Sequence, residues 1–253
     1  MKKYFFEILM IVILLAPFSF SSDVNSLMQK ANDYYKNNQY QLAIDEYNKL
    51  VNEGYRGASL YYNLGNAHYR LGKIGYAILY YEKALKFAPG DEDIKHNLAL
   101  AKLNLKDKVD SLPPFFIFNI WEGLIASFSV SGWTILVYVF YILLLAAVIG
   151  YFFSRSSSQQ RISFFCGAGF LFLLIISIVL LNVKMNKEYK IKNGIILQSE
   201  VTAKYSPDNS AKDVFIIHEG LKVRLEDKVD NWVKIRLEDG KIGWILERNI
   251  GVI

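Results

Sequence analysis

Three kinds of hydrophobic spacing follow one another along the chain. From Val24 to Asp91, apolar and small residues recur every three to four positions, the spacing of amphipathic helices. From Trp133 to Phe153 and from Phe164 to Val183 the residues are almost continuously apolar and carry no charge. Beyond Asn193 the period shortens to two, in short runs such as Val214-Phe-Ile-Ile217 and Trp232-Val-Lys-Ile-Arg-Leu237 separated by turn residues. The pattern therefore predicts a helical domain, a pair of long apolar helices and a small all-β domain.

The two apolar runs are each roughly 20 residues long, which matches a helix crossing about 30 Å of hydrocarbon. The connection between them is short and polar, so the spans run antiparallel and the parts before and after them lie on one side of one membrane. Arg155 and Arg161 in that connection, with no acid, suit a cytoplasmic loop. Lys184, Lys187, Lys190 and Lys192 follow the second span and argue the other way. At the N-terminus, Met1-Lys2-Lys3, the apolar run Ile8 to Ala16 and Ser19-Phe20-Ser21 have the charge, length and small residues of a cleaved secretory signal. Together these place the flanking domains on the exported side.

Between the helical domain and the first span, Leu112-Pro113-Pro114 stops a helix. The aromatic stretch Phe115 to Phe128, broken by Asn119, Glu122 and Gly123, then suits a helix lying in the membrane interface with Trp121 at headgroup depth. The expected organisation is signal peptide 1–21, helical repeats with a capping helix 22–112, linker and interfacial helix 113–132, span 133–153, cytoplasmic loop 154–163, span 164–183, linker 184–192 and β domain 193–253.

The helical domain repeats. Ala43 and Ala77 lie 34 residues apart in similar strings, Tyr40-Gln-Leu-Ala-Ile-Asp-Glu-Tyr47 and Ile74-Gly-Tyr-Ala-Ile-Leu-Tyr-Tyr81. The stretch Ala58 to Asp91 resembles a tetratricopeptide repeat throughout, with Leu64, Gly65, Ala77, Tyr81, Ala84 and Pro89 in its packing and stop positions. A more degenerate copy covers Val24 to Gly57, and Ile94 to Leu105 supplies a capping helix. On the usual repeat geometry the concave face carries Met28, Asn32, Tyr35 and Lys36 from the first copy and Tyr62, Asn66, Tyr69 and Arg70 from the second. Amides, phenols and terminal cations suit an extended peptide or acidic tail. His68, where the repeat usually has Tyr, is expected to be packed.

In the β region, Asn231 to Trp244 resembles the bacterial SH3-type module, with a Trp-led strand, an Asp239-Gly240 turn and a Gly243-Trp244 strand. Tyr205, Trp232 and Trp244 are its candidate peptide- or wall-binding aromatics. The fold class is therefore multidomain: an all-α tetratricopeptide repeat, a two-helix transmembrane hairpin and a small all-β SH3-like barrel.

Composition adjusts this picture little. The net charge of +5 over 253 residues is spread along the chain, without the cationic face that nucleic acid requires. The single cysteine, Cys166, lies in an apolar run. The three histidines are far apart, and no nucleophile pairing, metal cluster or phosphate loop stands in motif context. No catalytic, cofactor or metal residue is expected.

The order of parts, from signal and repeat pair through Leu112-Pro-Pro-Phe-Phe116 to membrane hairpin and terminal SH3-type barrel, resembles BatE-like members of the Bacteroides-aerotolerance family. That resemblance implies a bacterial inner-membrane protein with both soluble domains in the periplasm. It also implies membrane partners, the Bat proteins with von Willebrand A domains, and a role in oxidative or envelope stress tolerance. The alternative is an envelope sensor binding peptidoglycan or peptides through its barrel.

Overall fold

The computed structural model describes residues 22–107, 116–190 and 192–253. The signal segment and the Leu112-Pro113-Pro114 stop lie outside these residues. Two compact units divide the chain after Gly54.

The first unit is a helical hairpin, α1 (Ser22–Lys36) and α2 (Tyr40–Asn52). Ala31 and Ala43 are fully buried, as small residues must be where two helices meet closely, and Tyr47 is buried with them. The Tyr47 hydroxyl donates to Asn32 Oδ1 at 2.6 Å. Glu46 is buried and accepts from Lys30 and Lys49, each at 2.9 Å. Those hydrogen bonds, Lys49 first, hold its carboxyl below the usual carboxylate range.

The second unit holds the second repeat, α3 (Ala58–Arg70) and α4 (Ile74–Phe87), then the capping helix α5 (Glu92–Lys102). Gly65 of α3 faces Tyr81 of α4 so closely that a Cβ there would come within 2.6 Å of the ring. Asp91 caps α5, accepting from the amides of Asp93 and Ile94 at 3.0 and 3.1 Å.

Next come α6 (Phe116–Ala126), α7 (Val130–Phe153) and α8 (Ser157–Lys190). At 11 residues, α6 rises only about 16 Å, too little to cross a bilayer. Both α7 and α8 are long and apolar enough to do so. Large apolar side chains stand exposed along them, Phe152 at 76%, Phe165 at 71% and Phe172 at 63%, a surface that water would not tolerate. The turn is confined to residues 154–156, shorter than the polar stretch suggested. Helix α8 also runs past Val183 to Lys190 because the lysine-rich sequence is helix-compatible and is held by ion pairs. Lys184 meets Glu188 at 3.1 Å, and Lys187 pairs with Glu122 of α6. Trp133 packs with Ile125 and Leu180 at this end and donates its indole N–H to the Ile125 carbonyl at 3.3 Å.

The β domain is one antiparallel sheet of seven strands in the order β3-β2-β6-β5-β4-β1-β7. These are β1 (Asn193–Ile196), β2 (Glu200–Lys204), β3 (Asp213–His218), β4 (Lys222–Val229), β5 (Trp232–Arg236), β6 (Ile242–Leu246) and β7 (Ile250–Val252). Ile196 of β1 and Ile217 of β3 share one apolar core with Val201, Val233, Ile235 and Ile245, so the sheet curls, consistent with an SH3-like domain. The Asp239-Gly240 signal lies in a three-residue loop, not a two-residue one: Leu237 N–H donates to Lys241 O at 2.9 Å, and Gly240 takes a φ of +91°. The two-residue connection is Asp230-Asn231, between paired Val229 and Trp232. Strand β7, after a turn of 3-10 helix at Glu247–Asn249, is too short to show as a two-residue period.

The sheet packs directly on α4. Gly75 lies so close to it that a Cβ would meet Ile196 O at 2.7 Å, and Gly251 of β7 sits against Leu79. Glu82, nearly buried, accepts from Lys222 of β4 at 2.7 Å and Lys102 of α5 at 3.1 Å. Burial opposes its charge, but the two lysines outweigh that and hold the carboxyl below its usual range. Lys86 donates to Ile253 O at 2.9 Å. Beyond α5, Asp107 accepts from the His218 amide at 2.6 Å and from its Nδ1 at 2.8 Å.

Replacing Glu82 by Ala leaves two lysines without their counter-charge and should destabilise the second unit by about 2–4 kcal/mol. A Glu82→Met, Lys222→Met pair should recover much of that. Chemical denaturation of the full chain in detergent, followed by circular dichroism, measures both; a loss below about 0.5 kcal/mol for Glu82→Ala, the scale of an exposed pair, would contradict the clamp.

Candidate partner-binding surface

The candidate residues of the second repeat lie on α3 at positions 62, 66, 69 and 70, one helical face. Tyr62, Asn66 and Tyr69 are half-buried and Arg70 is exposed. Asn66 is anchored from below: its Oδ1 accepts from the Tyr81 hydroxyl at 2.7 Å and from Asn97 Nδ2 at 3.0 Å. Asn97 Nδ2 also donates to the Tyr62 hydroxyl at 2.9 Å. Asn97, on the capping helix, is thus a member that the sequence reading missed. Its helix was assigned only a covering role, and a lone Asn in an irregular third copy carries no signal of its own.

In the first repeat the Tyr47–Asn32 bond spans 15 residues, as the Tyr81–Asn66 bond does. Each bond is offset from the other by the 34-residue period. The asparagine carbonyl at this position is an internal tie in both copies. Tyr35 sits edge-on to Tyr40, with ring centroids 5.3 Å apart, and Lys36 lies 3.7 Å from Asp33. Met28 is half-buried beside them in sequence register.

On α3 the face presents the Asn66 amide N–H groups and the Tyr62 and Tyr69 hydroxyls, which both donate and accept, beside the Arg70 guanidinium. Amide N–H groups and a guanidinium suit ligands rich in carbonyl and carboxylate oxygens.

His68 is packed. It is 6% exposed and lies nearly parallel between Tyr76 and Tyr80, at centroid distances of 5.0 and 5.3 Å. Tyr80 continues the stack to Tyr61, and Tyr61 to Phe87, with Lys83 over both tyrosines. Burial, helped by the Lys73 charge, pushes the His68 pKa down to about 4. His96 is exposed on α5 and His218 sits against Asp107, so the histidines do not converge. Among the described residues no group of three or more His, Cys, Asp or Glu is placed to hold a metal ion.

Trp232 and Trp244 lie on one face of the neighbouring strands β5 and β6. Trp232 is half-buried and lines a polar pocket of about 450 Å³ with Gln198, Asn209, Arg248 and Asn249. Trp244 lies on the same outer face between Lys204 and Lys234, outside that lining. Tyr205, at the end of β2, is 78% exposed.

Helix pairs with this spacing are those of tetratricopeptide repeats, which indicate a protein-interaction scaffold. A tetratricopeptide-repeat family model matches residues 28–92. A comparison with curated proteins finds no match to the chain.

Because the folded pKa of His68 is depressed, its neutral form stabilises the fold fully above the unfolded value near 6.5. That contribution falls away as pH drops from 6.5 towards about 4, a loss of roughly 3 kcal/mol. Urea denaturation between pH 4 and 7 should show a steeper acid loss for wild type than for His68→Phe; parallel curves would rule out His68 as a source of acid sensitivity.

Proposed function

We propose that this protein is a membrane-anchored scaffold whose tetratricopeptide repeats bind an acceptor-rich segment of a protein partner. The observation that carries the reading is the polar face of α3, Tyr62, Asn66, Tyr69 and Arg70, braced by Asn97 within a matched repeat. Asn32, Tyr35 and Lys36 stand at the equivalent positions of the first copy. The sheet docks on α4 and so leaves the α3 face for the partner.

In this reading α7 and α8 form the anchor, and α6 lies in the interface with Trp121 and Leu124, 43% and 45% exposed, towards lipid. Docking of the sheet on α4 supports both soluble domains lying on one side. The signal-like N-terminus and the arginines of the hairpin connection favour the periplasmic side of a bacterial inner membrane. Lys184 and Lys187, which argued otherwise, are engaged by Glu188 and Glu122, so they have a structural reason to be there. The resemblance of the part order to BatE-like proteins makes a Bat protein with a von Willebrand A domain the first partner to test, within an envelope complex serving oxidative or envelope stress tolerance.

A second reading rests on the Trp232 pocket. One aromatic face with Gln198, Asn209, Asn249 and Arg248 around it suits peptidoglycan or a peptide.

Affinity purification of the full chain after crosslinking in membranes should recover a von Willebrand A protein, and Asn66→Ala with Arg70→Glu should reduce recovery at least tenfold. Undiminished recovery by that variant, or sedimentation with peptidoglycan and no protein partner, would shift the function to the β domain. Alkaline phosphatase fused after Ile253 should be active and the same fusion at residue 155 inactive; the reverse pattern would overturn the orientation.

A further inference from the structure

We propose that the free edge of β3 is a second docking site, where an extended segment of a protein partner adds an eighth strand to the sheet. The two edges of the sheet are treated differently. Edge β7 lies against α4, with Gly251 on Leu79. Edge β3 is hydrogen-bonded to β2, and among the described residues no other strand pairs with it.

The direction of its backbone groups follows from one bond. His218 is opposite Glu200 of β2, yet its amide donates to the Asp107 carboxylate at 2.6 Å instead of to β2. In an antiparallel ladder alternate residues face opposite ways. Ile216, opposite Thr202, therefore turns its N–H and C=O outwards as His218 does. Asp107 shows what such an outward amide requires, an acceptor, and supplies it for His218 only.

The edge is also apolar. Val214 and Ile216 are 46% and 53% exposed, and although the β2–β3 ladder shifts register between Ala203 and Lys204, Asp213–His218 contains neither Pro nor Lys, two residues by which sheet edges are kept from pairing. Lys212 stands exposed before the strand, whereas Glu200 and Asp107 lie at its other end. A segment running antiparallel to β3, apolar beside Val214 and Ile216 and acidic at its C-terminal end beside Lys212, complements both the backbone and the charges. Two copies of this chain would not pair well here. Setting Ile216 against Ile216 brings Asp213 opposite Glu219; setting it against Val214 brings Lys212 opposite His218, whose Nε2 is 2.8 Å from Lys106.

The probe is a fluorescein-labelled peptide, acetyl-Ser-Thr-Val-Thr-Val-Thr-Glu, titrated by anisotropy into the full chain in detergent micelles. Saturable binding is expected, with slowed amide exchange at Ile216. Ile216→Pro removes the outward N–H but no bond to β2 and should weaken binding at least tenfold; Ile216→Lys, which keeps the backbone, should also weaken it. The peptide N-methylated at its first Val, which has lost the donor to Ile216 O, should bind at least tenfold more weakly. Equal binding by the Ile216 variants, no saturable binding, or self-association of the wild type that Ile216→Lys abolishes would each overturn the proposal. The α3 variants leave this binding unchanged, so its failure is separate from failure of the repeat's partner.

Discussion

Glu82 is the constraint on which the second unit depends. A carboxylate with little exposure keeps its charge only if cations are fixed beside it, and here the cations come from two different elements, Lys102 of the capping helix and Lys222 of β4. Satisfying one side chain therefore sets where the capping helix and the sheet lie relative to α4. The two close approaches that follow, at Gly75 and Gly251, admit no side chain. A helix that in an extended solenoid would face solvent or another repeat is instead a platform for the β domain. The second repeat and its cap gain from that sheet burial of the kind that a further repeat supplies.

The same economy of polar groups shapes the candidate binding face. The asparagine carbonyl at the equivalent position of each copy is tied to a tyrosine hydroxyl on the partner helix of its own repeat. This tie orients the amide within each repeat, so the residue type serves packing in both copies.

Around the apolar helices, charge is arranged locally rather than as a belt. Lys184 and Lys187 are absorbed by Glu188 and Glu122, and Trp133, an aromatic at the head of a span, is buried against Ile125 and Leu180. Helix α8 consequently continues beyond the apolar run to Lys190.

By itself the sequence determined the parts. The 34-residue offset, the uncharged runs of about 20 residues and the change of period to two each follow from local geometry, which is why the repeat helices, the long apolar helices and six of the seven strands are legible along the chain. The same offset puts Asn32 and Asn66, Tyr35 and Tyr69, and Lys36 and Arg70 at equivalent helical positions. Tertiary structure decided how the parts are used. No periodicity links Glu82 to Lys222, Asp107 to His218 or Asn97 to Asn66, because such pairs are made by side chains whose spacing along the chain is arbitrary. It likewise set Trp232 and Trp244 on one face of neighbouring strands and Tyr205 exposed just past β2. It set α4 against the β7 edge of the sheet, while among the described residues no second strand pairs with β3, because the strand order, not the residues of β7 or β3, determines which strand meets α4.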